Sequence, residues 1–331
     1  IEFIGNHTDY NGGLVLGASI DKGVTVAVKK EKEKKIDIKS EKFASSVSIR
    51  LDEIQPLKGE QAWANYVLGV IQTLGKYNYT IEDGLSIGIT SDLPDGVGLS
   101  SSAALEVATL TALDALYHWG LEKKQIVKIA REAENNFVGM PCGILDQAVT
   151  TYGEKDKLVR IDCYKEEFKL MDLPENLDFW IFDTGVKHHL VDSLYSTRFQ
   201  ECADAFSLIQ KLLPEAKSLA QVTVDELLNI SEPLPATLLS RALHVAGENE
   251  RVLAVENSLA CKDMNEVGDI LTASHHSSRR LFENSIEELD YLVDRLYAMQ
   301  HVDGARLTGG GFGGGVLTMT DPYFGEEEHY R

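Results

Sequence analysis

Two glycines and three serines fall within Gly96-Val97-Gly98-Leu99-Ser100-Ser101-Ser102, directly ahead of a run rich in Ala, Leu and Val that starts at Ala103. Residues of these types at a helix start suit anion chemistry. The first helical turn leaves N–H groups unpaired and carries a partial positive charge. Glycine lets the backbone approach a phosphate, and a serine hydroxyl can cap the helix or reach a metal. On this stretch alone, a phosphate site and a plain capped helix stand level. Further polar groupings lie elsewhere: Asn6-His7-Thr8-Asp9 ahead of the turn Asn11-Gly12-Gly13, and Gly139–Gln147 (GMPCGILDQ), whose glycines and proline shape a loop that delivers Asp146. Near the end, Gly309–Gly315 holds six glycines in seven residues. Gly309, Gly311 and Gly314 satisfy a dinucleotide-binding pattern, but that pattern should open a helix and Val316–Met319 reads as a strand. No Walker A sequence is present, since Gly75-Lys76 is followed by Tyr77.

The elements that must position these groups are legible from periodicity. Gly84–Ser91 alternates and reads as a strand leading into the first stretch, and Ala103–Trp119 reads as a buried helix leaving it. Leu14–Lys29 supplies one or two strands, Ile36–Ile38 and Val47–Leu51 two short ones, and Gln61–Gly75 a helix. Glu122–Phe137 is an amphipathic helix with apolar residues at 126, 129, 130, 133 and 137. Glu134 falls at the edge of that stripe, where a carboxylate ordinarily reaches solvent. Strands at Lys157–Asp162 and Asp178–Asp183 follow, then helical patterns over Val191–Leu213 and Leu234–Leu296. Ala305–Thr320 is a glycine loop between two strands. The order is α+β rather than strict βαβ. A composition shift near Tyr164–Glu167 marks a domain boundary, giving domains at 1–165 and 166–331.

Composition bounds the function. A chain of 331 residues carries about two domains. A net charge of −20 excludes a phosphate-backbone binder, so no nucleic acid is expected as partner. Lys29–Lys35 is basic, but Glu31 and Glu33 interleave, so it reads as a solvated hairpin. Cys142, Cys163, Cys202 and Cys261 lack metal-ligand spacing and suggest reduced thiols in a cytoplasmic setting. No apolar run approaches the roughly 18 residues that span a membrane, and no signal peptide is evident. The chain begins at Ile1, inside a motif, so a preceding segment is expected.

The stretches IGNHTDYNGG, LPDGVGLSSSAALEVA, GMPCGILDQ and LTGGGFGGG occur in that order between Ile1 and Thr320. Together they resemble the galactokinases, a branch of the GHMP superfamily that also holds homoserine, mevalonate and phosphomevalonate kinases. The second stretch marks the superfamily; the first and third point to the galactokinase branch. The resemblance implies a two-domain α+β fold of GHMP-kinase type with its active site in the interdomain cleft. It implies phosphorylation of the anomeric hydroxyl of D-galactose by ATP, with Mg²⁺, in a monomer whose partners are small molecules. Gly96, Gly98, Leu99, Ser100, Ser101, Ser102 and Ala103 match the phosphate loop, and Ser102 and Glu134 the magnesium ligands. Asp146 matches the acid beside the reactive hydroxyl, and His7, Asp9, Gly143 and Tyr195 match sugar contacts. Gly309, Gly310 and Gly311 belong to the third motif, which lines the site.

Two positions depart from the family. Asn6 stands where Glu is usual and Glu2 where Asn is usual, as if exchanged. Asn6 is therefore expected either to face the sugar and tune its choice or to pair with Glu2. The family's arginine would fall immediately before Ile1, and the family continues beyond the point where this chain stops. Alternatives are a kinase for a related sugar, or a non-catalytic sugar sensor, against which the intact Ser100–Ala104 counts.

Overall fold

The computed structural model describes residues 1–94, 96–175, 177–186 and 191–325, and for 191–193 the backbone alone; Asp95 of the serine-rich motif lies outside the described residues. In chain order the first half forms β1 (Glu2–Ile4), β2 (Leu14–Ala18), β3 (Val24–Glu31), β4 (Lys35–Ser40), β5 (Val47–Arg50), α1 (Asn65–Lys76), β6 (Gly84–Ser91), α2 (Ser101–Tyr117), α3 (Lys123–Ala133) and α4 (Leu145–Tyr152). The second half forms β7 (Lys157–Asp162), β8 (Glu167–Asp172), β9 (Asp178–Asp183), α5 (Val191–Leu212), α6 (Val224–Asn229), α7 (Ala236–Cys261), α8 (Met264–Ser277), α9 (Glu287–Tyr297), β10 (Val302–Thr308) and β11 (Gly315–Thr320). Mostly antiparallel sheets with segregated helices make the α+β class expected from the pattern.

The residue contacts divide into two compact units that are discontinuous in sequence. Unit 1 takes Ile1–Ser19, Gly96–Leu99 and the chain from Glu154 onward; unit 2 takes Ile20–Asp95 and Ser100–Gly153. The boundary expected at 165 is therefore corrected. It falls in the turn between β7 and β8, which pair antiparallel from Lys157↔Asp172 to Asp162↔Glu167. What reads as a composition shift is a hairpin turn whose second strand, β8, is too polar to show an apolar period.

Unit 2 holds the sheet β3-β6-β4-β5, with β6 antiparallel to β3 and parallel to β4. Leu85 and Ile87 of β6 and Ile36 and Ile38 of β4 pack with Leu68 and Leu74 of α1, Leu110 and Leu113 of α2, and Ile129 of α3. The basic Lys29–Lys35 segment is not a hairpin, because β6 lies between β3 and β4. Its connection passes over Gly84, where an added Cβ would lie 1.7 Å from the Glu33 carbonyl oxygen. Only glycine permits that crossing.

Unit 1 holds two antiparallel sheets, β1-β2-β7-β8 and β10-β11-β9. Phe3, Ile4 and Leu16 from the first sheet share a core with Val252 and Val255 of α7, Leu271 of α8, and Leu317 and Met319 of β11. The glycine loop joins β10 to β11, between strands as expected. Among the described residues, no helix is long and apolar enough to cross a membrane. None of the four cysteines forms a disulfide.

Candidate functional site

The sequence-predicted residues divide between the units. Ser100–Ala103, Glu134, Gly143 and Asp146 belong to unit 2, whereas Asn6, His7, Asp9, Tyr195, Gly96, Gly98, Leu99 and Gly309–Gly311 belong to unit 1.

In unit 2, α2 starts as required for an anion site. Ser100 at its N-cap has a left-handed backbone (φ 52°), and no side chain caps the helix. The expected serine cap is absent because the Ser100 hydroxyl donates to Asp146 Oδ1 at 2.6 Å. The first-turn N–H groups of α2 are left without a side-chain cap, and Asp146 is held by a neutral hydroxyl. Asp146 occupies the first turn of α4, where the helix dipole favours a negative charge. Asn135 pins the loop before it, accepting from Cys142 N–H at 2.7 Å.

Glu134 does not reach solvent. α3 ends at Ala133, and Glu134–Val138 forms a wider π-type turn that keeps Phe137 in the core and brings Glu134 in with it, 7% exposed. Gln147 Nε2 donates to Glu134 Oε2 at 2.6 Å and to Glu106 Oε2 at 3.2 Å. The Ser102 hydroxyl also hydrogen-bonds Glu134. Burial, reinforced by Asp146, pushes the Glu134 carboxyl up to about 7; burial, reinforced by Glu134, pushes Glu106 up to about 10. Glu106 Oε1 and Gln147 Oε1 are buried without a partner. The sequence reading missed Glu106 and Gln147, although Glu106 follows Ser102 by one helical turn on α2 and that spacing was a usable signal. Among the described residues no three His, Cys, Asp or Glu side chains group closely enough to hold a metal alone. The cluster is instead an under-satisfied set of hard oxygens. It suits a cation that takes one or two protein ligands and completes its shell with water and phosphate.

A second feature of unit 2 was not legible. Phe43 and Trp63 stack with ring centroids 5.0 Å apart and planes 9° from parallel. With Lys42, Tyr66, Ser101 and Ser102 they line a pocket at the start of α2. Twenty residues separate the two rings in sequence, and no spacing rule pairs them.

In unit 1, His7 and Asn6 face inward. His7 is 4% exposed; its Nε2 meets the Gly310 carbonyl at 3.2 Å and its Nδ1 the Tyr10 hydroxyl at 2.8 Å. A carbonyl only accepts, so Nε2 carries the proton and Nδ1 accepts from Tyr10. Burial holds this neutral ring down to about 3. Both nitrogens are engaged within the protein, which leaves the ring itself, packed 5.2 Å from the ring of the half-buried Tyr195. The expectation that Asn6 faces the sugar is corrected: its side chain is fully buried. Asn6 Nδ2 donates to Glu2 Oε1 and to the Gly309 carbonyl, both at 3.0 Å. Its Oδ1 accepts from Asn284 Nδ2 at 3.0 Å and Ser278 Oγ at 3.3 Å. Glu2 in turn accepts from Arg306 at 2.5 Å. Burial pushes Glu2 up to about 7 against the pull of that guanidinium.

The glycine loop is a close-packed structure. Gly311 (φ +81°) passes Asn284 so tightly that a Cβ would lie 2.2 Å from the Asn284 carbonyl oxygen, and Phe312 N–H donates to that oxygen at 2.7 Å. Within the same unit, Gly98 packs on this loop: its Cβ would lie 3.2 Å from the Thr308 carbonyl oxygen.

Comparison with known proteins places these features in a family context. Models described as galactokinase galactose-binding signature, GHMP kinases N terminal domain and GHMP kinases C terminal match residues 1–30, 65–154 and 254–327. A galactokinase of Thermotoga maritima is 39% identical over 321 residues, covering 97% of this chain and 87% of the relative. A galactokinase of Chloroflexus aurantiacus is 36% identical, covering 96% and 81%. A crystal structure of Lactococcus lactis galactokinase complexed with galactose superposes with a TM-score of 0.93 at 33% identity, covering 97% of this chain and 83% of that one. A Methanococcus jannaschii mevalonate kinase shares the fold alone, with a TM-score of 0.68 at 20% identity.

Proposed function

The chain belongs to the galactokinase family of the GHMP kinases, and from that membership we propose that it transfers the γ-phosphoryl group of ATP to the anomeric hydroxyl of D-galactose, releasing ADP and galactose 1-phosphate. The observation that carries the site assignment is the Ser100–Asp146 bond, which keeps a half-buried carboxylate in place in the unit that also holds the uncapped start of α2. Phosphoryl transfer asks little covalent chemistry of a protein; it asks for positioning and charge neutralisation. Asp146 accepts the hydrogen of the sugar hydroxyl and aims its oxygen. The N–H groups at the start of α2 receive phosphate oxygens, and the Phe43–Trp63 pocket takes the base by stacking.

Ser102 and Glu134 would hold Mg²⁺, and the unpartnered Glu106 oxygen beside a protonatable Glu134 fits a cation there. The ion, when bound, neutralises charge on the phosphates. Asp9 and Tyr195, with the ring of His7, form the sugar-facing set of unit 1, and Gly143 belongs to the Asp146 loop of unit 2. We assign the protein to the cytoplasm, where its four thiols, none of them in a disulfide, stay reduced, and treat it as a monomer. Asn6, the motive for a different sugar, is buried and gives that alternative no support. The test is coupled ADP release with galactose, N-acetylgalactosamine, glucose, arabinose and mevalonate. Turnover led by galactose is expected; a preference for another acceptor, or no ADP release, overturns the reading.

A further inference from the structure

Asn6 does no chemistry in that scheme, yet it joins three segments of unit 1. Its side chain ties Glu2 of β1 to the glycine loop through the Gly309 carbonyl and receives Ser278 and Asn284 from the chain after α8. Its backbone is fixed as well: the N–H donates to Glu248 Oε2 at 2.9 Å, and the carbonyl accepts from His244 Nε2 at 3.2 Å. The next residue, His7, donates to Gly310, and Asn284 Nδ2 donates to the same carbonyl at 3.2 Å. Gly98 of the phosphate loop rests on that glycine loop. The sugar-facing segment, the glycine loop and the glycine half of the phosphate loop are thus held in register through one amide.

We propose that Asn6 is a positioning residue that sets sugar and nucleotide affinity together, and that Glu2 and Asn6 work as an exchangeable acid–amide pair. The pair needs one donor amide and one acceptor acid. An acid at both positions places two carboxylates about 3 Å apart and removes the donor to Gly309. An amide at 2 with an acid at 6 restores the donor–acceptor match, and Ser278 and Asn284 can donate to an acid as they do to the amide oxygen. The Gly309 bond is not recovered, and Arg306 exchanges its carboxylate partner at position 2 for an amide oxygen. The kinetic half of this inference rests on the kinase reading above; the pairing half does not.

The experiment compares wild type, Asn6→Glu, Glu2→Asn and the double variant, with Asn284→Ala as a milder cut that leaves the Glu2–Asn6 pair intact. Melting temperature, KM for galactose, KM for ATP and kcat are measured. So is the kcat/KM ratio between galactose and sugars differing at one hydroxyl. Asn6→Glu is expected to raise both KM values by about three- to tenfold, the range for losing one or two neutral hydrogen bonds, with kcat and the sugar ratio near wild type. The double variant should recover part of the melting temperature and of both KM values relative to Asn6→Glu, the remainder reflecting the lost Gly309 bond and the Arg306 carboxylate. Asn284→Ala should show the same paired rise at smaller size, and it decides the matter if Asn6→Glu does not fold. A changed sugar ratio, a rise in only one KM, or a double variant no better than Asn6→Glu overturns the proposal. If the wild type does not phosphorylate galactose, the functional reading fails separately. The four melting temperatures then still decide the pairing, with rescue supporting it and additivity rejecting it.

Discussion

Buried acids meet different company in the two units. In unit 1, Glu2 pairs with Arg306, and Glu248 pairs with Arg251 at 2.6 Å. Burial raises Glu248, but Arg251, His244 and Arg306 outweigh it and hold that carboxyl at about 2. In unit 2, Glu106 is shifted upward by burial, by Glu134 and by Asp146, and Glu134 by burial and by Asp146, and the groups that relieve them are neutral donors. Loose ends exist in both units. Among the described residues, those of unit 1 lie on Arg251 Nη2, Asn284 Oδ1, Arg306 Nε and Thr318 Oγ1, none of them a carboxylate oxygen, whereas those of unit 2 are Arg131 Nε, Gln147 Oε1 and the carboxylate oxygen Glu106 Oε1. A buried acid balanced by a guanidinium is scaffold. Buried acids balanced only by amides and hydroxyls mark where a cation belongs.

The largest expected effect lies in unit 2. Asp146→Asn keeps the shape and should lower kcat by about 10²- to 10⁴-fold, with nucleotide affinity near wild type by fluorescence titration. Near-normal turnover in the folded variant would remove Asp146 from the reaction. Next, the units should respond oppositely to loss of charge. Arg306→Met strands Glu2 and should cost about 3–5 kcal/mol of stability in denaturant titration. Glu134→Gln relieves a like-charge contact, so without divalent cation its melting temperature should equal or exceed wild type, while the Mg²⁺ concentration for half-maximal turnover rises. A stabilising Arg306→Met or a strongly destabilising Glu134→Gln would erase the distinction.

The smallest effect is one of pH, and its sign differs between units. His7 and His244 are held neutral in the fold, down to about 3 and about 4, and His275 accepts Leu307 N–H on Nδ1, so it too is neutral. Their contribution is present above the ordinary histidine value of 6.5 and lost as pH falls through the folded values, with Glu2 offsetting part of it. Glu134 and Glu106 keep protons that the unfolded chain has lost. Their contribution is full below the ordinary 4.5 and is lost as pH rises through about 7 and about 10. Hydrogen exchange followed by unit should therefore loosen unit 1 on acidification and, in chelator, unit 2 on alkalinisation, with Mg²⁺ suppressing the second. Equal response of both units at both ends would contradict the contrast.

The sequence carried the elements well where one period ran unbroken. β6 alternates, α2 is apolar throughout, and the glycine loop sits between strands as its flanks required. It failed where a side chain's direction depended on distant partners. Asn6 reads as a polar turn residue until Gly309, some 300 residues later, comes to lie against it. Glu134 reads as a solvent-facing edge because a stripe assumes an even helix, and the π-type turn breaks that assumption. β8 was invisible for a different reason: its exposed positions include Lys169 and Leu170 alike, so no alternation survives.

The interleaving of the two units sets an order of events during synthesis. β2 pairs with β7, Leu14 opposite Asp162, so the first strands leave the ribosome long before their neighbour exists. Unit 2 has all its residues once Gly153 has emerged, whereas unit 1 must wait for β11. The β1–β2 pair thus carries an open β2 edge until β7 has emerged, the interval in which exposed strand edges invite misassociation. Folding of unit 2 first, with its ends at Ile20 and Gly153, would shorten the effective separation of β2 and β7 to the span of one folded body.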